Sequence, residues 1–145
     1  MRSVDVNVLV NAHRPEAPDH TSVRAWLDRA RRGPEPLVVL DVVASGFLRV
    51  VTHPKIFKEP TPLATAIEFL RAIRASPAFR RIEPGDLHWE IFTNLCVELR
   101  AVGNAVPDLY LAAAAIEQGS TFVSTDRRFA GIPNLRWERP VGPGS

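Results

Sequence analysis

Three short apolar runs in this chain each lead into an acid. The segment Ser-Val-Asp-Val-Asn-Val-Leu-Val carries Asp5, Leu37 to Leu40 runs straight into Asp41, and Thr121 to Ser124 is followed at one remove by Asp126. Short apolar runs bounded by turn signals predict buried strands, and the stretches between them carry apolar residues at helical spacing. Strands that alternate with helices predict an α/β fold: a central, mainly parallel β-sheet flanked by α-helices. Such sheets bind ligands outside the carboxyl ends of their strands. Asp5, Asp41 and Asp126 fall there, and Asp108 begins the helix that leads into the third run.

Residues 2 to 5 read as a buried strand, and Val6 to Ala12 continue it into a helix or turn. Thr21 is placed to cap a helix through Val23, Trp26, Leu27 and Ala30, which Gly33, Pro34 and Pro36 end. After the strand Leu37 to Leu40, a helix passes through Val42, Val43, Phe47, Leu48 and Val51. Residues 55 to 62 read as a surface loop, and a helix follows from about Leu63 to Arg74. Phe79 to Ile82 reads as a short strand. A long amphipathic helix from Asp86 carries Leu87, Ile91, Leu95 and Leu99 and stops at Gly103. An alanine-rich helix, Asp108 to Glu117, then leads to the strand Thr121 to Ser124. The expected organisation is one domain over residues 1–139 and a loosely ordered tail, 140–145, rich in Pro and Gly.

Composition narrows the classes. A chain of 145 residues with 46% hydrophobic content suits a single core. With 18 basic against 16 acidic residues and a net charge of +2, it is no general polycation. Arginines do gather at Arg29, Arg31 and Arg32, at Arg80 and Arg81, and at Arg127 and Arg128, where local patches can steer a phosphate backbone or simply be solvated surface. The single cysteine, Cys96, excludes an intramolecular disulfide and a Cys-rich zinc site. His13, His20, His53 and His88 show no zinc spacing. No stretch has the length or continuity of a membrane span or signal peptide, so the expected setting is soluble and cytoplasmic.

Carboxylates gathered within a few ångströms repel, and a divalent cation resolves the repulsion. Mg2+ needs one or two direct carboxylates and keeps several waters, and such a site activates water and clamps a phosphate oxygen. Each acid also has a plainer reading. Asp41 and Asp108 suit helix N-cap or first-turn positions, and Asp126 suits a turn paired with an arginine. Asp5 is the hardest to explain away, because a carboxylate in a valine-rich strand is costly unless it is paired or faces a polar site. Asn7 and Asn104 can hold the acids or order water, and Ser124 and Thr125 can bind a carboxylate or phosphate; all four also suit turn chemistry.

Val4-Asp5-Val6-Asn7-Val8-Leu9-Val10 resembles the opening motif of PIN-domain ribonucleases. The segment from Gly103 to Ala113, with Asn104 and Asp108, resembles their third acidic motif, and Val123 to Phe129, with Asp126, their fourth. The nearest likeness is to the VapC toxins of VapBC toxin-antitoxin modules, including the segment Phe47 to Pro54. The resemblance implies a PIN-like fold and an endoribonuclease that cleaves RNA phosphodiester bonds with metal-activated water. It implies Mg2+, with Mn2+ as a substitute, held by Asp5 and Asp108, with Asp126 a further member of the catalytic cluster. It also implies a VapB-type antitoxin as partner, homodimers and a higher assembly with the antitoxin. The chain departs from the pattern at the second acid: Val42 to Leu48 contains no glutamate, and Gly46 stands where an acid is often found. Asp41 is the nearby substitute, and it either completes the site through water or caps its helix. Two other readings follow: a non-catalytic PIN-like module that binds RNA or antitoxin, and a receiver-like regulator phosphorylated on one aspartate.

Overall fold

A computed structural model describes residues 1–141. Its centre is β1 (Arg2–Val4), flanked by β2 (Leu37–Val38) and β3 (Thr121–Val123), with β4 (Trp137–Glu138) outside β3. Every pairing is parallel, and Ser3 lies opposite Val38 on one side and Phe122 on the other. Parallel neighbours need crossovers, which the helices supply: α1 (Val6–His13) and α2 (His20–Arg32) between β1 and β2, then α3 (Asp41–Val51), α4 (Leu63–Arg74), α5 (His88–Glu98) and α6 (Ala105–Gln118) before β3. The chain moves outward from β1 to β2 on one side and from β3 to β4 on the other. The order therefore reverses between β1 and β3, and the crevice at their carboxyl ends is the switch point where such sheets bind ligands.

The core explains why so short a sheet holds. Val4, Val38, Phe122 and Val123 from the strands pack with Val8, Leu9, Leu27, Val43, Phe47 and Phe129, all of them buried. Truncating Phe47 or Phe122 to alanine is expected to cost about 3–5 kcal/mol. Helix α6 buries Leu109, Leu111 and the run Ala112 to Ala115, and small side chains let it approach both β3 and α5 closely. Gly119, at φ +66°, closes that helix in a left-handed turn and delivers the chain into β3.

Several elements differ from the sequence reading. Helix α2 begins at His20 after Asp19, so Thr21 lies inside its first turn and caps nothing. Phe79 to Ile82 forms no strand; Phe79 makes a single parallel bridge to Leu37. Helix α5 starts at His88, and it ends before Arg100, which takes the left-handed turn at φ +52° ahead of Gly103. Helix α6 starts at Ala105, which puts Asp108 in its first turn. Strand β4 has no counterpart in the reading. Of the tail expected over 140–145, Pro140 is buried and 142–145 lie outside the described residues. No helix among the described residues is long and apolar enough to cross a membrane.

Candidate active site

One residue ends the sheet and starts the first helix. Asp5 is extended (φ −80°, ψ 163°), and its N–H donates to Val123 O at 2.9 Å. Its Oδ1 accepts the Val6 N–H at 2.7 Å and caps α1. Its other oxygen, Oδ2, accepts from the Ser124 hydroxyl at 2.7 Å and from Asn7 Nδ2 at 3.2 Å. Ser124 Oγ in turn accepts the Asp126 N–H at 3.0 Å, and Asn7 Oδ1 accepts the Thr125 N–H at 3.1 Å. Trp137 Nε1 on β4 donates to Ser124 O at 3.1 Å, bracing the turn from the sheet edge. The carboxylate sits where two parallel strands end, and the residues around it are tied to it and to one another.

Electrostatics set this place apart. Asp5 is 7% exposed and Ser124 fully buried. Burial pushes the Asp5 carboxyl above the usual aspartate range, Asp108 and Asp126 push it the same way, and the bonds from Ser124 and Val6 oppose them. Burial likewise raises Asp108, against the pull of Arg128, with Asp126 adding to the rise. Asp126 lies below the usual range because Arg128 hydrogen-bonds to it. Its side chain accepts from the Arg128 backbone N–H at 2.9 Å, which caps the 3-10 turn Arg127–Gly131, and from the Arg128 guanidinium at 2.6 Å. The turn-and-arginine reading of Asp126 is thus its observed geometry, alongside its proximity to Asp5 and Asp108.

Asp5 and Asp108 face a shared recess of about 630 Å³. Asn104 lines it, preceding α6 without a side-chain capping bond. The wall also includes Val42, Gly46 and Arg49 from one face of α3, with Phe92 and Tyr110, and of these the sequence reading had singled out only the place of Gly46. The signal was present, because positions 42, 46 and 49 recur at i, i+4 and i+7. Arg49 is exposed and brings a cation to the edge of an acidic recess.

Asp41 is not brought to this recess. It opens α3 without being its N-cap, which is Leu40, and it points to a separate recess lined by Ser45, Leu48, Arg74 and Arg81. Arg74 donates to its Oδ1 at 2.7 Å and Arg81 to its Oδ2 at 2.7 Å, which holds the carboxyl below the usual range. The absence of an acid at 46 has a packing reason. A Cβ there would lie 2.9 Å from Val6 Cγ2, so a side chain at 46 would require that methyl to move.

The recess offers carboxylate oxygens from Asp5 and Asp108 and an amide oxygen from Asn104, which suit a hard divalent cation. Carboxylates raised by burial and by one another are stabilised when a cation arrives, and the Arg128 guanidinium already stands as positive charge on Asp126. Among the described residues no three His, Cys, Asp or Glu side chains converge closely enough to hold an ion unaided. Mg2+ takes one or two carboxylates directly and reaches others through its waters.

The family described as PIN domain matches residues 3–135. Ribonuclease VapC43 of Mycobacterium tuberculosis (strain ATCC 25618 / H37Rv) is 43% identical over 141 residues, covering 97% of this chain and 96% of that protein. Ribonuclease VapC25 of the same strain is 40% identical over 137 residues, covering 94% and 96%. Among solved structures, VapBC2 from Rickettsia felis, bound to a DNA fragment from its promoter, aligns with a TM-score of 0.71 at 20% identity, covering 95% of this chain and 97% of that one. FitAcB from Neisseria gonorrhoeae aligns with a TM-score of 0.70 at 20% identity, covering 97% and 98%.

Proposed function

Because this chain belongs to the PIN-domain family, we propose that it is the toxin of a VapBC-type module, an Mg2+-dependent endoribonuclease whose site is the crevice around Asp5. The observation that carries the reading is the pairing of acids there: Asp5, held by Ser124 and Asn7, shares a recess with Asp108 and both carboxyls are raised. Asp5 and Asp108 would hold the cation, Mg2+ or Mn2+ in its place, and Asp126 would support it. When bound, the cation supplies the Lewis acidity that makes water nucleophilic at neutral pH and offsets charge on the phosphate.

The chain's own groups do the rest. Ser124 and Asn7 fix the Asp5 carboxylate, the Thr125 N–H fixes Asn7, and Asn104 offers an amide to water or substrate at the recess wall. Arg49 stands where an RNA phosphate would enter an otherwise repulsive place. A phosphodiester must be splayed into the recess, which favours single-stranded or looped RNA. The module reading brings a VapB-type antitoxin and a homodimer with it. Leu87, Trp89, Val97 and Val102, all more than 60% exposed before, along and after α5, offer apolar area for such partners.

The test is cleavage of RNA with Mg2+, with EDTA, and by Asp5→Asn and Asp108→Asn. Cleavage is expected with Mg2+ alone and only by the wild type; equal cleavage in every arm would overturn the metal assignment. One observation favours a module that binds RNA without cutting it: Asp41, the acid nearest the place of the missing glutamate, is paired with Arg74 and Arg81 in a separate recess. Tight RNA binding without Mg2+ and without turnover would bear that reading out.

A further inference from the structure

Asp126 has no oxygen free. Its Oδ1 accepts from the Arg128 backbone N–H at 2.9 Å and from Arg128 Nε at 3.1 Å, while its Oδ2 accepts from Nε at 3.0 Å and from Nη2 at 2.6 Å. The same Nη2 lies 4.0 Å from Asp108 Oδ2, so one guanidinium spans both acids. Asp108 and Arg128 also share a second, smaller recess of about 160 Å³ with Leu99 and Phe129. The pairing is local, two positions apart, and the Arg128 side chain is 79% exposed, so water can replace its contacts. Other surface arginines are committed elsewhere: Arg74 and Arg81 to Asp41, and Arg31 to Asp28 and Ser76.

We propose that Arg128 is an exchangeable internal counter-ion: in the metal-free chain it neutralises Asp126 and screens Asp108, and it must leave them before their oxygens can serve a divalent cation. This rests on the metal reading of the Asp5 site and adds a control to it. Asp5, Asp108 and Asp126 bring three carboxyl groups to one region, and Arg128 offsets one charge among them until it is released. Two consequences follow. Metal binding competes with an internal ion pair, so affinity is set below what the same acids would give without Arg128. Release also frees a guanidinium beside the cluster, where a phosphate can take it up.

The experiment is a calorimetric Mn2+ titration of the whole chain as wild type, Arg128→Ala, Arg128→Lys and Arg127→Ala. Arg127→Ala is the charge-matched control, because it removes a neighbouring cation that makes no ion pair with the three acids among the described residues. Arg128→Ala is expected to bind Mn2+ about fivefold more tightly than wild type, the factor that corresponds to the upper end for an exposed pair. Arg128→Lys, which keeps the charge and loses the two-pronged contact, falls between, and Arg127→Ala stays near wild type. A second readout is the Arg128 Nε–H resonance, which shifts as Mg2+ is added if the pair opens. Equal Mn2+ affinity in wild type and Arg128→Ala, or equal tightening in Arg127→Ala, overturns the proposal while the metal reading stands. Absence of Mn2+ binding by wild type and variants alike overturns both.

Discussion

Two carboxylates of this protein sit at similar places in the fold and behave in opposite ways. Asp5 follows β1 and opens α1; Asp41 follows the extended chain after β2 and opens α3. Asp5 is buried, its partners are neutral donors, and its neighbours are acids, so its charge remains uncompensated. Asp41 is exposed and already answered by two guanidinium groups. Position at a strand's end creates an address for a ligand, and the ligand is needed only where burial leaves the charge unsettled. In an α/β sheet the switch point supplies that burial, since Asp5 lies between two parallel neighbours while Asp41 lies beside the outermost strand.

Substitutions order themselves along this contrast. The largest effect belongs to Asp5→Asn and Asp108→Asn, each expected to lower RNA cleavage by more than the roughly 10–100-fold typical of losing a supporting partner. If Asp41→Asn matched them in the same assay, the contrast would fail. Next come Ser124→Ala and Asn7→Ala, which leave the acids in place and free the Asp5 carboxylate to turn; a fall of about 10–100-fold in Mn2+ affinity is expected by calorimetry.

Stability should move against function. Without metal, Asp5→Asn removes a desolvated charge that Asp108 and Asp126 repel, and denaturant unfolding is expected to register a gain of about 1 kcal/mol. The folded-state value of Asp5 is raised. Its charge therefore destabilises the native chain above that value, and the penalty disappears as pH falls through it toward the ordinary aspartate range. The advantage of Asp5→Asn should be full at neutral pH and gone in acid, and an advantage that grew on acidification would contradict the burial argument. The smallest effect belongs to Asp41→Asn: RNA cleavage within about twofold of wild type, since exposed pairs contribute little.

Much of this was legible in the sequence because it depends on local pattern. Helix α4 occupies the residues its periodicity predicts, Leu63–Arg74, and Asp5 stands at a strand's end as the valine run implied. Strand β4 was hidden because Trp137 and Glu138 are too few to show a period, and their pairing with Phe122 and Val123 is supplied by tertiary structure. The grouping of Asp5, Ser124 and Asn7 follows from parallel pairing of β1 with β3. The separate fate of Asp41 does not, because it depends on Arg74 and Arg81 arriving from later segments. Arg49 escaped notice because its meaning comes from a helix face whose middle position, Gly46, has no side chain.

The bond from Ser124 to Asp5 joins residues 119 positions apart. The middle of the sheet is made from the first strand and the last but one, so a growing chain on the ribosome carries Asp5 for most of its synthesis without the hydroxyl that fixes it. Helices α1 to α5 can form from local contacts, whereas the crevice closes only after β3 has emerged and docked beside β1. Translation therefore builds the scaffold before it builds the site, and a chain released early has Asp5 but no crevice for it to face.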